Sequence, residues 1–261
     1  MGNFSKAEAQ GNLIIIPRRV VFDDSKRTQE LSIANTGADT AKYLISVIQY
    51  RMTKEGAFEN ITQPDSGQNF ADKNFRFFPR SVVLGPNEAQ TIKVQLNNTG
   101  DLKPGEYRSH LYFRAVPDER QPQLADTNAK AIAVRLVPVF GLAIPVIIRR
   151  GISTNSIAIV NVAMESKGPD DHQVRMTFSR SGNMSVYGDI RVEYISAQGK
   201  ITQVGLARGF AVYTPNDERN FRISLDKNPN INYHTGKIHI IYSTSSEIKY
   251  AIIAEKELVL L

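Results

Sequence analysis

The sequence predicts an all-β protein built from two sandwiches in tandem. Three observations carry this expectation. Apolar residues recur in short period-two runs, turn residues separate the runs, and no apolar stripe of helical spacing and useful length appears in the first half. A chain of 261 residues with 41% hydrophobic side chains has enough apolar surface for one or two real cores.

In the first half, strands are expected over residues 13–16, 31–34, 43–50, 92–96 and 107–115. Asp23-Asp24-Ser25, Asn35-Thr36-Gly37, Gly85-Pro86-Asn87 and Asn98-Thr99-Gly100 supply the turn chemistry between them. Residues 52–74 are polar and rich in Gly, Asn, Gln and Asp, and read as a long loop with room for one short strand. Residues 118–130 are polar and turn-rich, a loop expected to order on partner binding.

The stretch that follows, AIAVRLVPVFGLAIPVIIRR over residues 131–150, is nearly all apolar yet is no membrane helix. A spanning helix needs about 20 apolar residues, and Arg135, Pro138, Gly141 and Pro145 interrupt this run. Membrane insertion is not expected. Ile132, Val134 and Leu136 instead alternate with smaller or charged neighbours, as in a strand with one apolar face. At a sheet edge such a strand must be covered by something.

After Arg149-Arg150-Gly151 the pattern restarts, with strands expected over residues 157–163, 173–179, 188–195, 210–213, 221–225, 236–243 and 251–260. The expected organisation is therefore a tail over residues 1–11, a first domain over 12–149 and a second over 150–261, joined by a short hinge. Ala7-Glu8-Ala9 before Gln10 has the A-x-A form of a secretory cleavage site, although no apolar run precedes it.

Composition excludes several chemistries. With no cysteine there is no disulfide framework, zinc-thiolate site or thiol nucleophile. The chain has no G-x-S-x-G, G-x-G-x-x-G, Walker A or H-E-x-x-H sequence, so no enzyme class is indicated and no cofactor is expected. His234 and His239 lie five apart across a turn into a strand, a poor metal spacing, and His172 reads as part of a solvated Gly-Pro loop. The formal charge of +6 suits an acidic partner, but its Lys and Arg are scattered, so nucleic acid is not expected.

Several segments in order resemble the periplasmic chaperones of chaperone–usher pilus assembly, the PapD-like family. The segments are Pro17-Arg18-Arg19-Val20-Val21-Phe22-Asp23, the stretch FPRSVVLGPNEAQTIKV over residues 78–94, Tyr107-Arg108-Ser109-His110-Leu111-Tyr112-Phe113-Arg114 and Ile144-Pro145-Val146. They are similar to the family's first strand, its proline-turn-strand segment, its penultimate strand and the end of its long last strand. The likeness covers roughly residues 12–150; the second domain is similar only as a generic sandwich.

The resemblance implies two Ig-like sandwich domains and a Gram-negative periplasmic chaperone. Such a chaperone lends an edge strand to pilus (fimbrial) subunits and delivers them to an outer-membrane usher. Donor-strand complementation is a general recognition mode of this kind. Ile132, Val134 and Leu136 are the expected donor residues, since the opposite choice would aim Arg135 at an apolar groove. Counting back from Pro145, the family register favours that opposite parity unless a bulge near Pro138 or Gly141 intervenes.

The resemblance also implies a basic anchor for the subunit's terminal carboxylate, with Arg19 at the arginine position. The partnering lysine falls near Phe140, and no lysine occurs over residues 131–150. Arg108 is the substitute candidate, the other reading being a solvated surface charge. A dimer that caps its own strand is left open. Two other functions stay in view, a structural or adhesive subunit and a PapD-like scaffold not coupled to an usher.

Overall fold

The computed structural model describes residues 13–23, 25–117, 139–168, 171–245 and 250–260. All regular structure among them is β, and no helix is present. Among the described residues no helix is therefore long and apolar enough to cross a membrane. The chain divides into two compact units. The first comprises Met1–Gln49, Phe70–Lys103 and Tyr107–Arg149; the second comprises Tyr50–Asn69, Pro104–Glu106 and Arg150–Leu261.

In the first unit the strands are β1 (Leu13–Ile16), β2 (Val20–Phe22), β3 (Thr28–Asn35), β4 (Ala41–Ile48), β7 (Phe75–Phe78), β8 (Ser81–Leu84), β9 (Ala89–Leu96), β10 (Gly105–Val116) and β11 (Gly141–Arg150). They form two sheets, β1-β3-β9-β7 and β2-β11-β10-β4-β8. Strict alternation puts Leu31, Ile33, Ile92 and Val94 from one sheet, and Leu111, Phe113, Val146 and Ile148 from the other, into one core. The turn expected at Asn35 is set by its buried side chain. Nδ2 donates to the Asp39, Leu84 and Gly85 carbonyls at 2.7, 3.1 and 3.2 Å, and Oδ1 accepts from Gly37 N–H at 2.9 Å.

The second unit is likewise a sandwich of two Ig-like sheets. Its strands are β12 (Ser156–Gly168), β13 (Asp171–Ser181), β14 (Val186–Ile195), β15 (Ile201–Val212), β16 (Glu218–Ser224), β17 (Gly236–Ser243) and β18 (Ile252–Leu260). The sheets are β12-β13-β16 and β15-β14-β17-β18, closing over Val174, Met176, Phe178, Ile190, Val192, Ile238, Ile240 and Tyr242.

The polar stretch expected to be a loop carries a hairpin, β5 (Tyr50–Met52) with β6 (Phe58–Asn60), and it belongs to the second unit. Asn216 Nδ2 donates to the Met52 carbonyl at 2.8 Å, Asn220 N–H donates to the Lys54 carbonyl at 2.7 Å, and Lys54 pairs with Glu218 at 3.0 Å. At the hairpin tip Gly56 has φ +86°, and a Cβ there would lie 2.5–2.8 Å from the Arg219 guanidinium. Only glycine suits that position.

Candidate functional site

The five-stranded sheet of the first unit positions the predicted site residues. β2 pairs in parallel with β11 at Val20↔Val146, Val21↔Ile147 and Phe22↔Ile148. Arg19, half-buried, enters this pairing one residue before its first rung. β10 lies on the other side of β11, so Arg19, just before β2, and Arg108, on β10, belong to the segments that flank it. Ile132, Val134 and Leu136, the expected donor residues, lie outside the described residues.

Arg108 is not the solvated surface charge of the alternative reading. Leu111, Phe113 and Ala115 take the core face of β10, which leaves Arg108 and His110 on the other face, yet these two are only 2% and 3% exposed. Ile147, alternating with the core residues Val146 and Ile148, is also fully buried. At this end both faces of the sheet are covered. Burial, and then the Arg108 charge, hold the His110 imidazole down to a pKa of about 3, so it is neutral at ordinary pH. A guanidinium kept at 2% exposure beside a neutral imidazole is a costly charge, a marker of anion-handling sites as well as of structural networks.

The start of β11 has a different character. β2 covers β11 only at residues 146–148, so residues 141–145 have β10 on one side and an open edge on the other among the described residues. The side chains change with it. Val139, Phe140 and Leu142 are 45%, 45% and 43% exposed, whereas Ile144, Val146 and Ile148 are in the core. Ala115 N–H donates to the Phe140 carbonyl at 3.0 Å, and Gly141 lies so close to the Tyr112 ring that a Cβ would clash with it. Phe140, at the expected lysine position, contributes apolar surface and no charge.

Other expected features resolve differently. His172 is not in a solvated loop: it lies in β13, 9% exposed, with Nδ1 2.9 Å from Ser166 Oγ and its ring against Tyr233 at 4.8 Å. His239 is flanked by Glu193 and Glu255 at 3.7 and 3.0 Å and is separate from His234 in the preceding turn. No group of three or more His, Asp or Glu side chains able to hold a metal occurs among the described residues. The sequence reading missed Glu106, a buried carboxylate in the second unit. Its Oε2 accepts from Ser185 N–H at 3.0 Å and from Ser185 Oγ at 2.6 Å.

No protein-family model matches the chain, and no curated protein matches it by sequence. Solved structures do match over nearly its whole length. The CupB2 chaperone of Pseudomonas aeruginosa aligns with 14% identity and a TM-score of 0.45, covering 95% of this chain and 100% of its own. The chain resembles pilus chaperones in structure. The YadV chaperone gives 12% identity and a TM-score of 0.45 over 95% of this chain and all of its own. A chain of the CsuC–CsuE chaperone–tip adhesion subunit pre-assembly complex, from archaic chaperone-usher Csu pili of Acinetobacter baumannii, gives 12% and 0.46, covering 93% of this chain and 97% of its own.

Proposed function

We propose that the protein is a periplasmic chaperone that holds pilus subunits by strand donation and passes them to an outer-membrane usher. The observation that carries this reading is the edge of β11 at residues 141–145, open among the described residues, with Val139, Phe140 and Leu142 exposed along it. An exposed apolar strand edge is an aggregation hazard unless a partner covers it. A pilus subunit lacking a strand would be such a partner, its groove filled by alternate side chains and its backbone paired along the edge. Ile132, Val134 and Leu136, next upstream in sequence, are the assigned donor side chains. Each aliphatic side chain fully buried in the groove contributes roughly 1.5–3 kcal/mol.

Arg19 and Arg108 are assigned as the carboxylate anchor, the first just before β2 and the second on β10, to either side of β11. A guanidinium offers a carboxylate two parallel donors, and a low-dielectric setting strengthens the pair. The reading requires no cofactor and no catalytic group. Phe140 in place of the anchor lysine favours one second reading, a scaffold of the same architecture that serves another envelope complex.

The test is co-expression with candidate pilus subunits from the same gene neighbourhood, followed by pull-down of the wild type, Val134→Glu and Arg19→Ala. A one-to-one complex with the wild type, lost in Val134→Glu and weakened in folded Arg19→Ala, is expected. Equal recovery with Val134→Glu would discard the donor face, and no complex with any pilus protein while all variants stay folded would turn the assignment to the scaffold.

A further inference from the structure

The outer face of the β12-β13-β16 sheet in the second unit carries a pair of arginines that strand donation does not use. Val174, Met176 and Phe178 of β13 point into the core, so Gln173, Arg175 and Thr177 take the opposite face. The register sets Arg175 directly across from Arg222 of β16, with Gln173 opposite Ser224 on one side and Thr177 opposite Asn220 on the other. Like charges directly opposite each other weaken a strand pair. Glu165, which stands across from Gln173 on β12, offsets part of that cost.

This one carboxylate holds both guanidiniums by the same edge. Arg175 Nε donates to Glu165 Oε1 at 2.8 Å, and Arg222 Nε donates to Oε2 at 3.1 Å. Those hydrogen bonds, from Arg222 first and then Arg175, hold the Glu165 carboxyl below its usual range, so it stays ionised and keeps both forks in place. With Nε committed, the terminal nitrogens of the two forks make no hydrogen bond among the described residues, and the Arg175 and Arg222 side chains are 39% and 57% exposed. The flanking polar groups are occupied with each other. Gln173 Nε2 donates to Ser224 Oγ at 3.1 Å, and Thr177 Oγ1 donates to Asn220 Oδ1 at 3.0 Å. Glu218, opposite Ser179 in the next row, is paired with Lys54 at 3.0 Å.

Two fixed guanidiniums against one carboxylate leave a positive charge in surplus, with donors aimed away from the protein. We propose that this arginine pair binds a phosphate group, as the free ion or in the headgroup of a phospholipid. A phosphate brings up to about two negative charges and three acceptor oxygens on a tetrahedron, so it can accept from both forks at once. A carboxylate has two oxygens in one plane, and Glu165 already fills that role on the Nε edge. The proposal uses the second unit alone and is independent of the strand-donation reading.

The test follows the Arg175 and Arg222 Nε–H resonances of the full chain by NMR while inorganic phosphate is added. A saturable shift of both is expected, absent when chloride or acetate is added at equal ionic strength. Arg222→Gln, at an exposed position that leaves the circular dichroism unchanged, should weaken phosphate about ten-fold, read at Arg175. Arg175→Lys keeps the charge without the fork and should also weaken it. Lys237→Gln, which removes a cation paired with Glu257 on the other sheet of the unit, should change nothing. Phosphatidylcholine vesicles with and without phosphatidylglycerol form the second arm. Phosphatidylglycerol-dependent binding by the wild type and not by Arg222→Gln would support the site with a headgroup as its source; phosphate binding without vesicle binding would support it with the free ion. No saturable shift, an equal shift with acetate, or undiminished affinity in Arg222→Gln would overturn the proposal. A Glu-rich peptide that binds tighter than phosphate would overturn it in favour of an acidic protein partner.

Discussion

His110 makes the first unit acid-labile by an amount that can be worked out. In the folded chain its imidazole is 3% exposed and titrates at about 3, against 6.5 for the free side chain, with burial the main cause and the Arg108 charge the second. Below pH 6.5 the unfolded chain binds a proton that the folded chain refuses, so stability falls as pH falls. The contribution is fully present above pH 6.5 and is lost progressively toward pH 3. Each unit costs about 1.4 kcal/mol, so descending from well above pH 6.5 to 4.5 removes on the order of 2.7 kcal/mol. That is a large share of a typical 5–15 kcal/mol. His110→Gln keeps a neutral polar side chain that cannot titrate. The stability of both proteins, read from hydrogen-exchange protection of the Leu111 to Ala115 amides, should converge or cross by that amount over the two units. Parallel curves would refute the buried-neutral assignment.

Further outcomes follow from the same geometry. Arg108→Met removes the second cause of the His110 depression, so that pKa should rise while staying below 6.5 because burial remains, measured by NMR titration. If Arg108 holds a client carboxylate, the same variant should bind a peptide ending in the client's free terminal carboxylate about 10- to 150-fold more weakly, with no loss for the amidated peptide. Ser185→Ala deletes the 2.6 Å hydrogen bond to the buried Glu106 carboxylate and should cost about 1.5–3 kcal/mol in urea denaturation followed in the second unit. Gly56→Ala must place a Cβ against Arg219 at φ +86°, so limited proteolysis should cut more readily within residues 50–69. Phe113→Ala empties a fully buried core position and should cost about 3–5 kcal/mol in the first unit.

Period-two alternation and turn chemistry are local properties, and they sufficed for the strands they govern. Residues 13–16 form β1, residues 236–243 form β17, and the Asn35 turn is held by its own side chain. Even the exposed apolar character of residues 139–142 is visible as a long apolar run in the chain. Tertiary structure decided what alternation cannot reach. A charged residue opposite a core position, as Arg108 is opposite the Leu111 face, reads locally as solvent-facing; in the folded chain it is buried, and burial holds His110 neutral. Polar composition hid the β5–β6 hairpin, whose own ladder is backed by hydrogen bonds from Asn216 and Asn220, far along the chain. His172 sits beside a Gly-Pro turn in sequence and becomes buried through Tyr233. Among the described residues the open edge of β11 follows from the shortness of β2, a pairing between segments more than a hundred residues apart, which no local pattern encodes.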